Sequence, residues 1–249
     1  MQKAINRRLK AQRGLYNTPT RREWIFSNPC QIVSCVSQMV WAVRTEEALV
    51  GSGSGGSGSA GRGGESPVNL STFYTHIVEQ LQDLTVLVRE NLSTLERRSV
   101  AALAIQDLHN RDIVAELLSS GVDTLDSFTW VQQLRHYWSE EGDECTIAQV
   151  DSIFSYGNEY LGAPTRLVIT PLTDRCWLTI TNCLKLLKLS GSVAGPAGAG
   201  KTESVKELAR MLGYFCLVFN CSETVDLYVL EKVFAGIQRK QRGRKKYIY

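Results

Sequence analysis

The sequence predicts a mixed, mainly α fold whose last third carries an α/β unit, and three observations point there. Apolar residues recur at helical spacing over most of the first 140 positions. A glycine-rich loop, Gly195-Pro196-Ala197-Gly198-Ala199-Gly200-Lys201-Thr202, then precedes an amphipathic stretch in which Val205, Leu208, Ala209 and Leu212 share one helical face. Gly213 closes that stretch, and Phe215-Cys216-Leu217-Val218-Phe219 follows as a buried strand. Loop, helix and strand in this order form a phosphate-binding α/β unit. The strand expected before the loop, Leu189 to Ala194, is short and half small residues.

Residues 1–23 are basic and lack a steady apolar period, which predicts a partly helical, poorly packed start. After Trp24-Ile25-Phe26 and Asn28-Pro29, the residues Ile32, Val36, Met39 or Val40, and Val43 recur at helical spacing. Proline suits a first helical turn, where an N–H is not needed. This helix has one strongly apolar face that requires cover. Gly51 to Gly64 is nearly all glycine and serine. Such a segment cannot bury enough surface to offset its ordering entropy, so it reads as a flexible linker or an insertion at an exposed loop.

A helix is expected from about Ser71, with Ile77, Leu81, Leu84 and Val88 alternating four and three apart, the spacing of a helix packed along another helix. Ser93-Thr94-Leu95-Glu96 is a capping box, and it opens a helix carrying Val100, Leu103, Leu108, Ile113, Val114, Leu117 and Leu118 up to Gly121. Phe128, Val131, Leu134 and Trp138 predict a third helix whose aromatics are core rather than a stacking platform. From Cys145 to Gly162 the texture is one of short strands and turns. Leu167-Val168-Ile169 is a β-prone run that stops at Thr170-Pro171. Thr173 and Asp174 are then placed to cap a helix through Trp177, Ile180, Leu184 and Leu187.

A net charge of +3 is too small to imply a nucleic-acid partner. The positive charge gathers at the ends, seven Lys or Arg between Lys3 and Arg22 and six within Arg239–Lys246, and such ends read as solvated tails. Seven cysteines include no C-x-x-C, and the three histidines, His76, His109 and His136, form no ligand set. No signal peptide and no apolar run long enough to cross a bilayer is visible, so no membrane role is expected and a reduced, cytoplasmic setting is.

The loop is where the chemistry lies. It satisfies G-x-x-x-x-G-K-[ST] at every fixed position. Glycines allow the backbone to curl so that successive N–H groups face phosphate oxygens, and the following helix adds the positive end of its dipole. Lys201 would reach the β- and γ-phosphates, and the Thr202 hydroxyl would hold a magnesium ion.

Several collinear stretches together resemble the dynein heavy chains. Leu167-Val-Ile-Thr-Pro-Leu-Thr-Asp-Arg-Cys176, Gly195 to Glu203 and Val218-Phe-Asn-Cys-Ser222 are similar to the first AAA+ module of that family. Leu95-Glu96-Arg97, Leu134-Arg135-His136-Tyr137-Trp138 and Tyr156-Gly157-Asn158-Glu159-Tyr160-Leu161-Gly162 resemble the end of its linker and the entry to the module. Pro29 to Leu49 resembles a linker helix. The cysteine-rich, β-branched flavour points to an axonemal type. The resemblance implies that Gly195, Pro196, Ala197, Gly198, Ala199, Gly200, Lys201, Thr202 and Glu203 bind ATP, with Thr202 on Mg2+. It also implies that Leu167, Val168, Ile169, Pro171 and Leu172 line the adenine pocket. Ala199 stands where relatives usually carry a hydroxyl residue, which costs little because backbone N–H groups do the cradling there.

The implied organisation is a linker helix region with a basic start over 1–50, a Gly/Ser linker over 51–66, and a helical linker end over 67–144. The first part of an AAA+ module would follow over 145–237, and a divergent basic tail over 238–249. The resemblance implies an ATP-driven, minus-end-directed microtubule motor of cytoskeleton and ciliary axoneme, with microtubules and other dynein chains as partners only in the full-length setting. After Cys221 the acids Glu223, Asp226 and Glu231 lie on a helix-like stretch, and no apolar run ends in Asp-Glu, so magnesium and the attacking water are unplaced. No catalytic residue is therefore assigned. The chain alone is expected to be a fragment without turnover. The alternative is a truncated product that acts at most as a nucleotide- or partner-binding module. In the family's sheet the strand before Gly195 and the strand Phe215–Phe219 are not neighbours, so Phe215, Leu217, Val218 and Phe219 are expected to be exposed or buried in a different arrangement.

Overall fold

The computed structural model describes residues 1–16, 18, 20–53, 69–219 and 226–241. Their elements are α1 (Gln2–Leu15), α2 (Arg21–Ser27), α3 (Cys30–Gly53), α4 (Leu70–Val88), α5 (Thr94–Ser119), α6 (Phe128–Val131), β1 (Arg135–Ser139), β2 (Glu144–Gln149), β3 (Ser152–Ser155), α7 (Pro171–Lys185), α8 (Lys201–Met211) and α9 (Leu227–Gln241). The fold is mainly α, with one small antiparallel sheet in the order β1-β2-β3. No helix of the described residues is long and apolar enough to cross a membrane. The Gly/Ser stretch from 54, Cys221, Glu223 and the tail from 242 lie outside the described residues.

Helix starts follow local chemistry. Thr20 and Glu23 close a capping box on α2, and Ser93 and Glu96 close the expected one on α5. The Asn69 side chain accepts from the Thr72 N–H at the start of α4. Gly121, at φ +60°, ends α5 and its turn returns N–H groups to Leu117 and Leu118. Thr170 rather than Thr173 or Asp174 caps α7, with Pro171 in the first turn, so that helix begins earlier than the sequence suggests.

The helix α3 organises the core. It lies against α1, α4, α5 and β1 and is covered on several sides rather than along a single stripe. Its first half joins one cluster with Leu84, Val100, Leu103, Ile147, Phe154, Trp177 and Leu208, and its second half joins another with Phe73, Ile77, Val114, Leu117 and Trp130. Two polar residues of α3 pair with α5: the Ser34 Oγ with Gln106 Oε1, and Gln38 Nε2 with Asn110 Oδ1 at 3.1 Å. Ser52 ties the end of α3 to the start of α4 by accepting from the Leu70 N–H at 3.1 Å.

Three expectations are corrected. The start of the chain is well packed, because Ile5 and Leu9 of α1 are buried against α3. The helix expected from Phe128 to Trp138 is a four-residue α6 followed by β1. Phe128 is exposed, Trp130 is buried, and the strand pairs His136 with Ile147 and Trp138 with Cys145. An apolar spacing of three and four over so short a run suits either element, and the partner strand decides it. Neither 189–194 nor 215–219 forms a strand of a sheet. Leu217, Val218 and Phe219 are exposed, as expected of strand residues whose neighbours in the family's sheet are not among those described.

Candidate nucleotide-binding site

The loop 195–200 is exposed and ends in the helix α8. Gly198 and Gly200 adopt φ +77° and +79°, conformations open to glycine at little cost, and Gly200 is the residue that turns the chain into the helix. No side chain caps this helix, and its first backbone bond runs from the Ser204 N–H to the Gly200 carbonyl. The N–H groups of Lys201, Thr202 and Glu203 therefore carry the positive end of the dipole without a side-chain acceptor. The Lys201 ammonium donates to the carbonyls of Gly195 (2.8 Å) and Pro196 (2.5 Å) and so lies back on its own loop. Thr202 is exposed at the first turn, and Glu203 points away to Lys206, whose ammonium lowers its carboxyl below the usual range. N–H groups without a side-chain acceptor, an ammonium lying on the loop and an exposed hydroxyl fit a phosphate chain and the ion it brings, since magnesium takes most of its ligands from phosphate and water. Among the described residues no group of His, Cys, Asp and Glu could hold a metal by itself.

The segment expected to line the adenine runs beside the same helix. At one end the Thr165 carbonyl accepts from Arg210 (3.3 Å) and Arg166 pairs with Glu207. At the other, Trp177 Nε1 donates to the Ser204 carbonyl at 3.0 Å. Between these anchors Leu167 and Ile169 are half-buried, with Ile169 against the core, whereas Val168, Pro171 and Leu172 are exposed. The structure thus brings the segment alongside the phosphate-loop helix, and it turns Ile169 inward and leaves Val168 and Leu172 outward.

The far end of α8 is held by residues no motif announced. The carbonyls of Met211, Leu212 and Gly213 accept from His136 Nε2 (3.1 Å), the Gly157 N–H (2.9 Å) and the Glu159 N–H (3.0 Å). Three groups of the sheet unit thereby satisfy helix-end carbonyls that have no partner within the helix. His136 is fully buried with its Nε2–H on Met211, and burial pushes its pKa down to about 4 against the small opposing pull of that carbonyl. Tyr156 and Gly157 meet Gly213 and Tyr214 so closely that a methyl on either glycine would collide with them. The only sign of this in the sequence is a pair of glycines next to tyrosines. The buried Glu207 gave a weak sign as well, a carboxylate within two positions of Val205, Leu208 and Ala209.

Comparison with known proteins agrees with this geometry. Residues 156–242 match the family described as the hydrolytic ATP binding site of dynein motor region. The chain is 38% identical over 237 residues to dynein axonemal heavy chain 12 of Rattus norvegicus, covering 95% of this chain and 7% of that protein. It is 40% identical over 235 residues to dynein axonemal heavy chain 6 of Homo sapiens (94% and 5%), and 40% identical over 222 residues to dynein axonemal heavy chain 1 of Mus musculus (89% and 5%). The chain thus spans under a tenth of the length of these relatives. With a glycine-cradled loop at the head of α8 and collinear identity across both the helical part and the loop-bearing part, this chain is similar over nearly its whole length to one stretch of the dynein heavy chains.

Proposed function

We propose that this chain holds the phosphates of ATP on the loop Gly195–Thr202 and belongs, in the full-length setting, to an ATP-driven microtubule motor of the axonemal cytoskeleton. The observation that carries the nucleotide reading is the uncapped N-terminus of α8 behind two left-handed glycines. Bound ATP supplies the phosphoryl group that such a motor transfers to water. The part of this chain is to bind and orient. The backbone N–H groups from Gly198 to Thr202 donate to the phosphate oxygens, and Lys201 exchanges the carbonyls of Gly195 and Pro196 for the β- and γ-phosphates. Thr202 offers its hydroxyl to Mg2+, and Val168, Pro171 and Leu172 offer an apolar surface to the base. The linker helices would correspond to 1–50 and 67–144, and the module to 145–237. The axonemal placement follows the names of the relatives, and the microtubule partner follows the resemblance to the dynein motor family.

The test is binding of a fluorescent ATP analogue with Mg2+ to the 249-residue polypeptide. Lys201→Ala removes a charge-assisted contact and is expected to weaken binding about 100-fold. Binding that is equally strong in the variant would remove the phosphate loop from the site. The same polypeptide is expected to release no phosphate above background, since no acidic strand end orients water; release that Lys201→Ala abolishes would overturn this.

A second reading, a module that acts through a partner, is favoured by one feature. Leu227, Tyr228 and Phe234 of α9 are exposed together with Leu217, Val218 and Phe219. Aggregation or chaperone capture of the soluble polypeptide, relieved by co-expression with the following module sequence, would support it.

A further inference from the structure

We infer that Arg166 is the positioning residue that locks the phosphate-loop helix to the two long helices α3 and α5, so that the three move as one body. Arg166 is a tenth exposed and its fork divides its bonds. Nη1 donates to Glu207 Oε1 of α8 at 2.6 Å, while Nη2 donates to the Ser34 Oγ of α3 (2.6 Å) and the Gln106 Oε1 of α5 (2.7 Å). Glu207 is 1% exposed, and its second oxygen is held by Arg210 at 2.9 Å. Ser34 and Gln106 also bond to each other, both through their side chains and through the Ser34 carbonyl at 3.0 Å.

The physical consequence follows from burial. If α8 shifts while Arg166 stays, Glu207 keeps a buried charge with half its compensation; if Arg166 follows α8, its buried Nη2 loses both acceptors, and Ser34 and Gln106 keep only their bonds to each other. Each alternative leaves a buried polar group unpaired, which is far more costly than an exposed pair breaking. Glu207 lies less than two turns from Lys201, and Arg166 directly precedes the segment 167–172, so one guanidinium joins both the helix that follows the loop and the start of that segment to the helical part. The effect on nucleotide rests on the function proposed above; the lock itself does not, and its test uses protein without nucleotide.

The measurement is amide hydrogen exchange of the full 249-residue chain, with global stability followed in parallel. Arg166→Lys supplies one nitrogen where the fork has two. It is expected to leave the amides of 207–211 within about threefold of the unaltered chain and to speed those of 34–38 and 106–110 about tenfold. Arg166→Met with Glu207→Leu replaces the ion pair by apolar groups of similar size, a change that keeps or raises stability. In that double variant the amides of 34–38 and 106–110 are still expected to exchange about tenfold faster although the protein unfolds no more readily. Unchanged exchange at those sites in the double variant would overturn the proposal. So would an even loosening of all three helices by Arg166→Lys, or a double variant that fails to fold, because each makes the residue a general stabiliser.

Discussion

Gly157→Ala is expected to cost about 3 kcal/mol of stability and to lower the melting temperature by roughly 6–12 °C. Gly157 donates its N–H to the Leu212 carbonyl at 2.9 Å, which draws it against the turn after α8. A methyl group there would collide with the Gly213 carbonyl and the Tyr214 ring, and the first of these is backbone. Gly213 cannot yield easily. It sits at φ +66°, its N–H bonds to Arg210, and its own added carbon would lie 2.5 Å from the Tyr156 ring. The tyrosines are pinned too, Tyr156 by Gln31 at 2.9 Å and Tyr214 by the Ser155 carbonyl at 3.1 Å. Relief therefore requires the sheet unit and α8 to part, with loss of the helix-end bonds from Gly157 and Glu159. Chemical denaturation checks the figure. A change under about 1 kcal/mol, the range of ordinary surface substitutions, would mean that the seam is slack.

The second large effect is a loss of stability on mild acidification that traces to His136. Its pKa is about 4 in the folded chain, and burial is the main cause; Arg166 pushes in the same direction, and the Met211 carbonyl against it. In the unfolded chain the ordinary value is about 6.5. The unfolded state thus binds the proton more readily between these values, and stability falls as pH drops from about 6.5 to 4. A gap of that size corresponds to about 3 kcal/mol at the acid limit. His109 and Asp174 complicate the raw profile. They lie 3.8 Å apart, His109 pushed down to about 4 by burial and Asp174 pushed up to about 7 by burial and then by Glu116. The first loses stability with falling pH and the second with rising pH, so they oppose each other. The clean comparison is His136→Gln, which keeps a donor for Met211 and has nothing to titrate. Melting curves at pH 7.5 and 5 are expected to converge in this variant more than in the unaltered chain. Equal pH dependence in both would show that His136 takes up no proton on unfolding.

Much of the site was legible because its geometry is local. The phosphate loop needs two glycines, a lysine and a hydroxyl at fixed spacing, and every one of them lies within eight consecutive positions. The capping box Ser93–Glu96 and the glycine turn at Gly121 are local in the same way, and they formed where expected. The element choice from Phe128 to Trp138 was not legible. Helix and strand satisfy the same few apolar positions there, and the ladder to Glu144–Gln149 that settles the matter depends on residues outside the window. The packing of Ile5 and Leu9 was missed for a related reason, since two apolar residues in a basic stretch show no period until a partner surface exists.

The chain's own order of residues thus determined most of the helical character, the capping-box helix start at Ser93 and the glycine-rich loop at the head of α8, all of which arise from neighbours within about one or two turns. Only the folded molecule decided which charges are buried, which glycines are crowded and which strands find a ladder. Arg166 with Ser34 and Glu207, His136 with Met211, and Gly157 with Gly213 are joined across 41 to 132 residues of chain. No local pattern distinguishes such residues from exposed ones of the same type. Their burial, and with it the cost of leaving a charge or carbonyl unpaired, comes into being when α3, the sheet and α8 close on one another. Phe215–Phe219 shows the converse: its composition favours a strand, yet a strand needs backbone partners from elsewhere, and among the described residues no sheet takes it up.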